Sequence, residues 1–175
     1  MKIDILHICI AHFKTLRNPD SHRLSSIDVF IFFMLPAMIG AGSLLLDIKT
    51  GKDFYNVSIA FFGIFIALLL NIQVAIFSIF QRNWNKPTDE IMSNVQQQKL
   101  EEKKNLLKEL NVNVSYLIVF SCIALAVFIV MFALGAESKL SVFISSTLYF
   151  HFILSLLMVV KRTYALFQGE YEIDF

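Results

Sequence analysis

The chain has 175 residues, of which 57% are hydrophobic and 18 are phenylalanine, with a mean hydropathy of +0.65. That is more apolar surface than the core of one soluble domain can hide, so part of the chain is expected to face lipid. The net charge of +1 arises from intermixed basic and acidic residues, which argues against nucleic-acid binding, and Cys9 and Cys122 frame neither a disulfide scaffold nor a metal pair.

Residues 1–26 read as a cytoplasmic leader and turn. Ile3, Leu6, Ile10, Phe13 and Leu16 recur at helical spacing, with Lys2, His7, Lys14 and Arg17 largely elsewhere. His7, His12 and Lys14 interrupt the apolar run and no small-residue cleavage site follows, so an interfacial amphipathic helix is expected rather than a signal peptide. Asn18-Pro19-Asp20 reads as a turn, and Ser25-Ser26-Ile27-Asp28 as a capping box before the first apolar segment.

Four stretches, residues 29–46, 57–80, 114–136 and 140–160, are long and uncharged enough to cross about 30 Å of hydrocarbon at about 1.5 Å per residue. The expected fold is therefore all-α, an integral membrane bundle of four transmembrane helices. Helices 1 and 2 fall in residues 27–81, a charged cytoplasmic helical loop in 82–113, helices 3 and 4 in 114–162, and an acidic cytoplasmic tail in 163–175.

Orientation follows from lysine and arginine near the span ends. Lys2, Lys14, Arg17 and Arg23 precede the first span, Arg82, Lys86, Lys99, Lys103, Lys104 and Lys108 fill the middle loop, and Lys161 and Arg162 follow the last span. The opposite side has Lys49, Lys52 and Lys139, so both termini are expected inside. Trp84, Tyr116 and Tyr164 suit an inner aromatic belt and Tyr55 an outer one.

Pro87-Thr88-Asp89-Glu90 supplies a helix start, with Thr88 as cap and two acids at the positive end. No Gly or Pro occurs from Thr88 to Leu134, which permits one helix running into the third span. A perpendicular version would stand about 39 Å from the membrane, whereas the link after Phe80 reaches only about 24 Å. A tilt, a surface course, or a break near residues 105–113 is expected.

Several intramembrane positions carry polarity. The second span has a seam of Ala60, Gly63, Ala67, Asn71, Ala75, Ser78 and Arg82 at a mean spacing near 3.6, which suits close helix approach, with Asn71 needing a hydrogen-bond partner. Gln73 is a second amide in that span. On the fourth span Thr147, His151, Ser155 and Arg162 share a face, and His151 lies near mid-membrane. An imidazole there is either a proton or ligand sensor or a neutral group bonded to Asn71, Gln73 or a Ser or Thr of a neighbour. Pro36, among Ala37, Gly40, Ala41, Gly42 and Ser43, marks a candidate kink in the first span. In the tail, Phe167, Tyr171 and Phe175 stand four residues apart among acids, a candidate docking surface for a cytosolic partner.

Arg17 and His22 form an Arg-x-x-x-x-His pattern that resembles the active-site signature of the HEPN ribonucleases, but here it falls on a turn beside a membrane span. No nucleophile elbow, phosphate loop, His-Glu-x-x-His or intramembrane carboxylate pair is present. No enzyme, catalytic residue, cofactor or metal is expected.

The plan as a whole resembles the small four-span membrane proteins of bacterial antiphage defence systems, the KwaA type of the Kiwa system among them. The features that carry this are the basic leader, the passage from Leu16-Arg17-Asn18-Pro19 to Ser26-Ile27-Asp28 into a Pro-containing first span, and the charged middle loop. The resemblance implies a homo-oligomer in the bacterial inner membrane, a multi-pass sensor or effector that works with a cytosolic partner or perturbs the membrane itself. The alternative is a small channel or transporter subunit with a polar path along transmembrane helices 2 and 4, lined by Asn71, Gln73 and His151.

Overall fold

The computed structural model describes residues 5–15, 30–46, 48, 50–81 and 90–171. Within them the chain forms five helices: α1 (Ile5–Thr15), α2 (Phe30–Ser43), α3 (Lys52–Phe80), α4 (Glu90–Leu134) and α5 (Lys139–Tyr171). Helix α3, residues 100–134 of α4 and residues 139–168 of α5 are each long and apolar enough to cross a membrane. The chain is a helical membrane protein.

The first expected span differs from these three. Helix α2 has a π-helical opening turn (Phe30–Met34) before its α-helical part (Leu35–Ser43). Its 14 residues measure about 21 Å, short of a full hydrocarbon thickness. Pro36 accounts for the irregular start, since it has no N–H to offer the Phe32 carbonyl one α-turn back. The Ser25–Asp28 capping sequence, the Asn18–Asp20 turn, the Arg17/His22 pair, Trp84 and the Thr88 cap lie outside the described residues.

Helix α4 is continuous over 45 residues, with no break near residues 105–113. The expected overhang was too large because α3 accompanies α4 past the third span. Gln73 of α3 bonds Ser115 of α4, and this antiparallel register sets Phe80 beside about Lys108. Only about 27 Å of α4 then lies beyond the end of α3, within the roughly 30 Å that nine linking residues can reach. At its C-terminal end α4 closes in a Schellman motif. Gly135 takes φ +58°, its N–H bonds the Phe132 carbonyl, and the Ala136 N–H bonds that of Met131. Ser138 Oγ then accepts from the Ser141 N–H at 3.3 Å, capping α5.

Helices α3, α4 and α5 pack around an aromatic core. Phe62, Phe128 and Phe152 are fully buried, and Phe61, Phe65 and Tyr149 interleave with them at ring separations of 5.0 to 5.8 Å. In lipid such rings are held by dispersion and edge-to-face geometry rather than by escape from water, each pair contributing about 0.5–1.5 kcal/mol. Helix α2 lies against α5, and α1 against α4, while among the described residues neither α2 nor α5 brings its backbone close to α3. The helices thus form an open row, α3–α4–α5–α2, in which α3 meets α5 through aromatic side chains. Helix α5 continues past Arg162 to Tyr171, so the first part of the expected tail is helical.

Candidate functional site

Among the described residues a polar cluster joins α1, α2, α4 and α5. His151 of α5 sits at its centre. Its Nδ1 lies 2.8 Å from the Phe32 carbonyl, which only accepts, so Nδ1 carries the proton. Its Nε2 lies 2.8 Å from the Tyr116 hydroxyl, which donates to it. A neutral imidazole is therefore fully satisfied between a carbonyl freed by Pro36 and a phenol of α4. His151 was expected to bond Asn71, Gln73 or a Ser or Thr of a neighbouring helix; its partners are instead the Tyr116 phenol and a backbone carbonyl.

Tyr116 also carries the leader. The His12 ring of α1 stacks flat on it, with centroids 3.8 Å apart and planes parallel. His12 Nδ1 lies 2.9 Å from Asn113 Oδ1, and Thr15 Oγ1 lies 3.0 Å from the same atom. His12 and Asn113 are wholly buried, and His12 Nε2 and Asn113 Nδ2 find no hydrogen-bond partner among the described residues. Burial pushes the His12 imidazole down to about 4; the Asn113 bond opposes this, while His151 and Arg162 reinforce it.

Arg162 ties the cluster to its rim. One guanidinium nitrogen donates to the Thr15 carbonyl at 2.8 Å, at the C-terminal end of α1, where the helix dipole favours a cation. The other lies 3.1 Å from Glu109 of α4. Three helices thus meet at one side chain. The arrangement can hold a helix in place and can respond to protonation. No three His, Cys, Asp or Glu side chains converge as metal ligands among the described residues.

The other expected positions are dispersed. Gln73 Nε2 donates to Ser115 Oγ at 3.0 Å between α3 and α4. Thr147 Oγ1 donates to its own helix at Phe143 O, 2.8 Å away, and its hydroxyl occupies the space a side chain at Gly40 would need. Ser155 is buried with its hydroxyl unpartnered among the described residues. Pro36 is buried within α2. Phe167 is half exposed on α5, Tyr171 is the last residue of that helix, and Phe175 lies outside the described residues.

The seam of α3 has a different orientation. Tyr55, Ser58, Phe62, Leu69 and Ile76 are its buried face. Ala60, Gly63, Ala67, Asn71, Ala75 and Ser78 are all exposed, and at 100° per residue they lie on the opposite side of the helix. A Cβ at Gly63 would meet nothing within 4 Å, and Asn71 makes no hydrogen bond to any described residue. Arg82 lies outside the described residues.

Comparison with protein-family models, curated proteins and solved structures gives no match for this chain.

Sequence reasoning missed His12, Thr15, Asn113 and Tyr116 as partners. It took His12 only as an interruption of an apolar run and Tyr116 as part of an aromatic belt. A signal was present: two polar pairs at three-residue spacing, His12/Thr15 on the leader and Asn113/Tyr116 at the start of the third expected span.

Proposed function

We propose that the protein is an oligomeric multi-pass protein of a bacterial inner membrane, with both termini cytoplasmic, acting as a sensor or effector with a cytosolic partner or by perturbing the membrane. The observation that carries this is the outward-facing seam of α3. An amide at mid-helix with no partner among the described residues is costly in hydrocarbon, and small residues around it let a second helix approach closely. An amide both donates and accepts, so Asn71 can pair with Asn71 of an identical copy. The resemblance to antiphage membrane subunits favours a defence role.

In this reading α2 completes a short fourth crossing. Phe32 meets His151 near mid-membrane, and Thr50 meets Ser141 at the outer end of α5, so the chain traverses the outer half of the bilayer between them. Helix α1 lies at the inner interface, with Leu6 and Ile10 exposed and His12 turned to the core. The cytoplasmic length of α4, with the exposed Phe167 face of α5, is the surface for a partner.

A channel reading keeps one support: Asn71 would line the axis of a ring whose subunits meet along α3, whereas Gln73 and His151 are engaged within the chain. Native mass spectrometry in lipid discs tests the assembly. A homo-oligomer is expected for the wild type and a lower order for Asn71→Leu; a monomeric wild type would remove the proposal. Membrane-potential recordings on cells expressing the same pair separate the two readings, because only a pore loses depolarisation with Asn71.

A further inference from the structure

Between the outer halves of α4 and α5 lies a groove of about 520 Å³, bounded by Ile123 and Leu134 along α4 and by Ile144 on α5, with Ser138 at its outer end. We propose that it holds one acyl chain of an outer-leaflet phospholipid. The inference rests on the membrane orientation proposed above.

Three features select this occupant. The first is length: Ile123 to Leu134 spans about 16 Å of helix, close to the roughly 15 Å depth of one leaflet's hydrocarbon. The second is shape. The roughly 520 Å³ run as an elongated apolar furrow along the helix pair, which a single polymethylene chain can follow.

The third feature is polarity. The wall facing the groove is aliphatic from Ile123 to Leu134, and the polar atoms are at the loop end, where Ser138 and the neighbouring Lys139 are exposed. Lys139 is one of the few cations on that side of the chain. A lipid seated tail-inward places its phosphate at this ammonium. The same loop carries the Tyr55 and Ser141 bonds to the Ala136 carbonyl, so a seated lipid touches the junction that holds α3, α4 and α5 together. That gives a membrane sensor a direct contact with its lipid surroundings.

The test uses the whole protein in lipid discs of phosphatidylethanolamine and phosphatidylglycerol, doped with a phospholipid carrying a diazirine on one acyl chain. After irradiation, labelled residues are mapped by mass spectrometry. Groove residues are expected to be labelled about fivefold more than Ile129, a lipid-facing residue of α4 outside the groove. Ala126 is exposed and lines the groove, so Ala126→Phe, or the milder Ala126→Leu, should abolish that excess, whereas Ile129→Phe should not. Equal labelling that ignores Ala126 would reduce the groove to ordinary boundary lipid and overturn the proposal. Groove residues left unlabelled while Ile129 is labelled would mean that protein rather than lipid covers the groove, and would likewise overturn the proposal. No label at either the groove or Ile129 would overturn the membrane reading itself.

Discussion

Acidification is expected to loosen the leader through His12. The imidazole has an ordinary value of 6.5 and is held at about 4 when docked. Docking therefore favours the neutral ring: the leader's hold is complete above pH 6.5, weakens as pH falls, and reaches its minimum near pH 4. The full window corresponds to about 3 kcal/mol. Between pH 7 and 5.5 the two values give a docking constant lower by about eightfold. The physical reason is that a protonated His12 would put a new N–H donor on a buried Nε2 that has no partner among the described residues, beside the Arg162 guanidinium and across Tyr116 from His151. Glu109 does not offset it, being paired with Arg162. Electron–electron distance measurements between spin labels on α1 and α4, in lipid discs at graded pH, read the docked fraction directly. His12→Gln should flatten the profile. A docked fraction that is constant from pH 7.5 to 5, or that falls equally in His12→Gln, would refute the reasoning.

Gly40→Ala should destabilise the α2–α5 contact by roughly 1–3 kcal/mol, since its Cβ collides with Thr147 Oγ1 and sits 3.0 Å from the Phe143 carbonyl. Gly42→Ala meets nothing within 4 Å and should be close to neutral; thermal unfolding in detergent compares the two. His151→Phe strands the Phe32 carbonyl and the Tyr116 hydroxyl, a loss of about 1–3 kcal/mol for each buried group, visible as a lower unfolding temperature with helix content retained. Tyr55→Phe removes the bond to the Ala136 carbonyl and should cost about 1 kcal/mol by the same assay.

The three long helices were legible because their apolar runs leave no other reading. The absence of Gly and Pro from Thr88 to Leu134 permitted a continuous α4 without deciding it, because the overhang depends on the register of α3 against α4, set by the pair Gln73 and Ser115. The α3 seam shows a related limit. Spacing identifies a face of small residues, yet the same spacing serves packing within a chain or between chains, and only the position of the Phe62 and Leu69 face decided that it points outward. His151 was visible as an intramembrane histidine, whereas its acceptor is a backbone carbonyl, which no side-chain pattern announces. Pro36 was its one trace, four residues after Phe32.

The most direct test of the assembly is oxidative crosslinking in native membranes, in a Cys9→Ser/Cys122→Ser background, with cysteine placed at Ala67 or Ala75 on the seam and at Ile72, which is exposed but turned about 120° from the seam's centre. Disulfide-linked dimers at Ala67 and Ala75, with far less at Ile72, are predicted if identical α3 helices face each other. Equal crosslinking at all three positions, or none at Ala67 and Ala75, would contradict an assembly built on that face.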